Sequence, residues 1–199
     1  LAQRPAPVPY RDFVFRTRNG PDAAEHEAFF RDMLSDIETP TAPFGLIDIQ
    51  SDGSNIAEAS LSLTPSLAQR LRAQTRHLGA TPAALCHLAW ALLLGRCCHQ
   101  EAVVFGTVLF GRMQGGQGIE RALGLFINAL PIRVSCDQRS VIAALRDTQQ
   151  ALLALMRHEH APLALAQRCS AVPPPTPLFS SLFNYRHSPG SRDLPPGLQ

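Results

Sequence analysis

The run Val103-Val104-Phe105-Gly106-Thr107-Val108-Leu109-Phe110 constrains the fold of this chain more than any other stretch. A strand with one wet face alternates apolar and polar residues, whereas a nearly continuous apolar run has to be covered on both faces. An inner strand therefore needs helices or loops packed above and below it. Helical patterns lie on either side in sequence. Thr64-Pro65 and Thr81-Pro82 each pair an N-cap residue with a first-turn proline, a helix start signal. The first predicts a helix to about Leu78 with Leu67, Leu71 and Leu78 on one face, and the second a helix from Ala83 to Cys97 that is apolar on almost every face and so buried on several sides. Val141, Leu145, Leu152 and Met156 mark one face of a further helix, Val141 to Arg157. Strands alternating with helices give an α/β class, a mixed sheet flanked by helices.

The remaining segments are assigned from turn chemistry and periodicity. Residues 1–20, with Pro5, Pro7 and Pro9, read as an extended lead-in with a turn or short helix at Tyr10-Arg11-Asp12-Phe13-Val14. Asp22 to Leu34 reads as a helix, closed by the prolines of Thr39-Pro40-Thr41-Ala42-Pro43. Ile56 to Leu63 alternates like a half-buried strand. Gly111, Gly115, Gly116 and Gly118 predict a flexible loop after the inner strand. Strand character returns over Leu123 to Val134 and again over Leu178 to Tyr185, after the stiff Pro173-Pro174-Pro175 linker. Both ends are expected to be cuts through a longer protein.

Composition excludes several chemistries. All 18 basic residues are arginine, so no lysine is present for a Schiff base, a phosphate loop or a lysine nucleophile. A net charge of +2 with arginines spread along the chain gives no basic run suited to nucleic acid or anionic lipid. The longest apolar block, Pro82 to Leu94, is interrupted by His87 and is shorter than the roughly 20 residues of a membrane span. Cys86, Cys97, Cys98, Cys136 and Cys169 are odd in number and form no CxxC pair, a pattern of reduced thiols that points to the cytoplasm.

Five stretches then occur in order. They are Tyr10-Arg11-Asp12-Phe13-Val14; Phe105-Gly106-Thr107-Val108-Leu109-Phe110-Gly111-Arg112; Leu123-Gly124-Leu125-Phe126-Ile127-Asn128-Ala129-Leu130-Pro131-Ile132-Arg133; His158-Glu159-His160-Ala161-Pro162-Leu163; and Pro177-Leu178-Phe179-Ser180-Ser181-Leu182-Phe183-Asn184-Tyr185-Arg186. Together they resemble the successive signature regions of the condensation domains of nonribosomal peptide synthetases. The resemblance implies a chloramphenicol-acetyltransferase-like fold of two lobes, of which residues 1–199 match the carboxyl-side, acceptor-side lobe. It also implies amide-bond formation, as in antibiotic biosynthesis, between carrier-bound donor and acceptor groups. No cofactor would be bound directly, since phosphopantetheine is carried by the partner carrier proteins. The further partner would be the amino-side lobe, with neither nucleic acid nor membrane involved. The family's two adjacent histidines, followed three residues later by Asp-Gly, are absent here: none of the seven histidines adjoins another. No catalytic group is therefore assigned within this chain, and the chain alone is expected to be inactive.

Gly111, Arg112, Asn128 and Asn184 are the tunnel-lining candidates that the resemblance offers. Arg112 would pair with the aspartate of the missing motif, or else be a surface residue at a strand end. Asn128 would contact the tetrahedral intermediate or the pantetheine arm, or else make a structural hydrogen bond to a neighbouring strand; Ala129 stands where the family usually has threonine. His158 and His160, two apart around Glu159, project from different sides of a helix end and suit a Pro162 cap better than a metal. His187 has no acidic orienter in sequence, Trp90 reads as core, and Cys97 and Cys98 have only Arg96 as a cationic neighbour. A carrier-docking scaffold without catalysis, and an epimerization domain of the same superfamily, remain alternative readings.

Overall fold

The computed structural model describes residues 8–18, 23–47, 56–111 and 121–186. The inner strand is as expected: β1 (Ala102–Leu109) lies between β2 (Asn128–Ser135), antiparallel to it, and β3 (Leu182–Phe183), parallel to it. Val103 to Thr107 are all buried, and because successive residues point to opposite faces, both faces are covered. Pro131 sits opposite Gly106 in β2, an edge strand, where a missing backbone donor costs no ladder bond. Gly106 is required by packing: a Cβ there would lie 2.3 Å from Leu182 and 2.6 Å from the Phe179 ring.

Among the described residues, six α-helices accompany this sheet: α1 (Tyr10–Arg18), α2 (Ala23–Leu34), α3 (Pro65–His77), α4 (Pro82–Cys98), α5 (Val141–Met156) and α6 (Leu163–Arg168). The two start signals act as read: Thr64 and Thr81 Oγ atoms accept from the backbone N–H of Leu67 and Ala84, and Ser140, which the sequence reading did not single out, does the same for Ala143, each satisfying one of the donors that a helix leaves free at its start. Helix α4 covers the face carrying Phe105 and Thr107, since its His87 bonds the Thr107 hydroxyl at 2.7 Å. Helix α2 covers the other face, where Arg133 of β2 donates to the Met33 carbonyl and forks onto both oxygens of Asp36. Phe30, Leu34, Leu88, Leu94, Phe105, Leu130, Ile132 and Leu155 form one core between these layers.

Several expectations fail. Residues 56–64 are exposed throughout and, although extended in sequence pattern, belong to no strand; the half-buried strand proposed for Ile56 to Leu63 finds no partner among the described residues. Strand character begins at Asn128 rather than Leu123, and the last strand shrinks to Leu182–Phe183, preceded by a single bridge from Phe179 to Thr41. On α3 the buried position is Thr75, while Leu67 is exposed. Leu92 and Leu93 leave one side of α4 open, and Trp90 is only partly buried, donating to Ser181 Oγ and stacking on Phe183. The short element at Tyr10 runs on to Arg18. The glycine loop 112–118 and His187 lie outside the described residues.

Candidate functional site

The topology gathers three of the sequence-derived candidates at one end of the sheet. Because β1 and β3 run parallel and β2 runs against them, the carboxyl ends of β1 and β3 lie beside the amino end of β2. Gly111 follows β1, Asn128 opens β2 opposite Leu109, and Asn184 follows β3. Arg112 lies outside the described residues. Phe110, Leu123, Leu125 and Ile127, which follow β1 or lead into β2, expose apolar side chains at this same end.

Gly111 is buried and holds φ +64, and a Cβ there would come within 2.0 Å of the Phe126 carbonyl oxygen. Only glycine combines that dihedral with that approach. The turn presses the end of β1 against the segment leading into β2. Phe126 in turn packs with Phe13, the centroids 4.5 Å apart, and with Tyr10, whose hydroxyl donates to the Leu125 carbonyl. A small second core thereby ties α1 to the sheet end.

Asn128 is half-buried, and both protons of its amide are committed. Nδ2 donates to the carbonyls of Glu159 and Ala161, each at 2.9 Å, while Oδ1 accepts from the Ala129 N–H. The bonds reach neither a neighbouring strand nor an open cleft; they fasten the turn after α5 onto the first residue of β2. Asn184 is exposed.

That turn, 157–161, carries His158, Glu159 and His160 after α5 has ended at Met156. The two histidines lie past the end of α5 rather than on a helix end that Pro162 closes; Pro162 is instead the N-cap of α6, by backbone geometry alone, with no side-chain bond. His158 is buried, stacked on Phe29 with ring centroids 4.0 Å apart, and its Nδ1 lies 2.8 Å from Nδ1 of His26. His160 stands edge-on to Phe13, with Nε2 3.6 Å from the buried Glu159 carboxylate. Burial holds His26, His158 and His160 below the usual imidazole range, with Glu25 opposing the shift at His26 and Glu159 at His160. Among the described residues no group of three or more His, Cys, Asp or Glu could hold a metal ion.

A further buried histidine was missed from sequence. His87 Nδ1 faces the Ala83 carbonyl at 2.7 Å, so that nitrogen carries the proton and Nε2 accepts from the Thr107 hydroxyl. Burial also keeps this ring below its usual pKa. The signal was a lone histidine in an apolar helix and a lone threonine in an apolar strand, each supplying what the other needs. Burial raises the thiols of Cys86, Cys98 and Cys136 above the usual range, which removes nucleophilic character.

Comparison with known proteins agrees with this architecture. The family model described as "Condensation domain" matches residues 2–194. Malpibaldin synthetase and malpinin synthetase of Mortierella alpina are 53% and 52% identical over 92% and 98% of this chain. A linear gramicidin synthase of Brevibacillus parabrevis is 30% identical over 93% of it. The chain spans only 2–3% of the length of these synthetases. Among solved structures, SgcC5 from Streptomyces globisporus superposes with a TM-score of 0.63 at 19% identity, covering 96% of this chain and 44% of that one. The EpoB cyclization-docking bidomain from Sorangium cellulosum gives 0.59 at 16% identity, covering 88% and 37%. The mixed sheet with flanking helices is therefore the chloramphenicol-acetyltransferase-like fold that the five motifs implied, and the chain belongs to the condensation-domain family of nonribosomal peptide synthetases.

Proposed function

We propose that this chain is the acceptor-side lobe of a condensation domain that joins a carrier-bound acyl or aminoacyl thioester to the amine of a carrier-bound aminoacyl group. The observation that carries the reading is the convergence of Gly111, Asn128 and Asn184 at one apolar sheet end, from three motifs far apart in sequence. In the reaction the neutral amine nitrogen attacks the thioester carbonyl, the carbon–sulfur bond breaks, and the pantetheine thiol leaves with the proton the nitrogen gives up. A positioned imidazole is the usual device for that proton. His26, His158 and His87 are committed to contacts with one another and with Thr107, and the reading takes the base from the two-histidine motif that the family resemblance assigns to the other lobe. The contribution of this lobe is positional. Holding two tethered groups at attack distance can replace roughly 10⁵ M or more of free reactant, and the rigid turns at Gly111 and Asn128 suit that task. The partners of the reading are the amino-side lobe and two carrier proteins bearing phosphopantetheine, in the cytoplasm.

The test is reconstitution. The two-lobed protein, supplied with separately loaded donor and acceptor carrier proteins, should transfer the donor group to the acceptor amine, read by intact-protein mass spectrometry. This chain alone should transfer none. Thioesters that persist unchanged on both carriers with the two-lobed protein would overturn the enzymatic reading in favour of a docking scaffold.

A further inference from the structure

Turn 157–161 is a junction. Asn128 holds it to β2 through two carbonyls, His160 leans on Phe13 of α1, and His158 meets His26 of α2 with Nδ1 facing Nδ1 at 2.8 Å. Two imidazole nitrogens at that distance attract only when one bears hydrogen and the other a lone pair. The rings must therefore occupy opposite tautomers. The Phe29 ring, inclined by 12° to His158, fixes the plane in which the bond is made.

We propose that His26 and His158 form a hydrogen-bonded latch that positions turn 157–161 and, through it, Asn128 at the end of the sheet. Both are positioning residues. A first proton enters the outer Nε2 of the donor ring and leaves the Nδ1–H···Nδ1 bond intact. A second must enter the accepting Nδ1, which breaks the bond and sets two N–H groups against each other. The charged and titratable groups acting on the pair are Glu25 on α2 and Arg157 and His160 on the turn. Glu25 favours the charged form and Arg157 opposes it, but the second proton opens the latch because it takes the one lone pair that accepts the Nδ1–H···Nδ1 bond. The consequence for amide formation rests on the condensation reading; the latch itself does not.

Two spectroscopic measurements on the ¹⁵N-labelled chain test it without turnover. Imidazole long-range correlations above about pH 7.5, where an ordinary imidazole is neutral, should show one Nδ1–H ring and one Nε2–H ring for this pair; finding the same tautomer in both would overturn the latch. Exchange of the Asn128 side-chain amide protons should quicken about tenfold or more in His26→Leu, as expected for a locally opened contact. It should stay near wild type in His26→Gln, whose carboxamide still offers the bond. An unchanged rate in a folded His26→Leu chain would also overturn the proposal. If His26→Leu does not fold, acid titration of the wild type substitutes, because Asn128 exchange should quicken as the second proton enters and would not if the turn were held independently. In the reconstituted two-lobed protein, His26→Leu should lower kcat with KM nearly unchanged. If both spectroscopic signatures are seen and no amide forms, the condensation reading fails while the latch stands.

Discussion

Asn128 and Gly111 show what single residues do at this sheet end. The sequence marked Asn128 as a polar group on an apolar strand that would need partners, and left open whether these were substrate or protein. Its partners lie 31 and 33 residues downstream, a separation that no local pattern encodes. With both amide protons bound to backbone, Asn128→Ala leaves two carbonyls unpaired in a half-buried setting, a loss of about 1–3 kcal/mol. Chemical denaturation should show that loss, and an unchanged midpoint would mean that water replaces the amide without penalty. Gly111→Ala faces a different obstacle, a positive φ and a carbonyl oxygen 2.0 Å from the added methyl. The backbone part alone amounts to about 1–3 kcal/mol. The variant should be destabilised beyond that figure, and Phe126 should lose its packing against Phe13, visible as a change in near-ultraviolet dichroism.

At the scale of elements, local chemistry was readable wherever it is complete within one turn. Thr64-Pro65 and Thr81-Pro82 start their helices where the side-chain oxygen and the missing proline donor dictate. Thr81 carries an extra load: its backbone N–H and its hydroxyl both donate to Gln149 Oε1 of α5 at 2.8 Å. Thr81→Ala should therefore cost more than the roughly 1 kcal/mol of an ordinary cap, whereas Thr64→Ala, exposed on α3, should cost no more than that. Equal losses from the two substitutions in urea titrations would show the α4–α5 bond to be idle. Strands were harder to read, because a strand exists only by pairing. Alternation in Ile56 to Leu63 is indistinguishable in sequence from that of a paired strand, and the Leu178 to Tyr185 run pairs with β1 only over Leu182–Phe183.

The layered architecture was legible in the whole chain from one continuous apolar strand, since covering both faces leaves few alternatives; the packed histidine rings were not, because their pairing joins residues 20 and 132 positions apart. Those rings set the molecule's response to acid. His26, His87, His158 and His160 are all held below the usual imidazole range, with burial the leading cause. A group depressed in the folded state binds its proton first in the unfolded chain, so stability is fully present above about pH 6.5 and falls as pH drops below it, by up to about 1.4 kcal/mol per pH unit for each group. Asp36 and Asp137 are depressed by hydrogen bonds from Arg133 and Arg139, but their loss begins only below about pH 4. These are surface pairs, which contribute little. The histidines therefore dominate. Urea midpoints measured from pH 8 downward should hold level to about pH 6.5 and then fall steeply by pH 5, well before the carboxylates titrate. A midpoint that stays flat to about pH 4.5 would mean that the four rings take up protons without leaving their packed contacts.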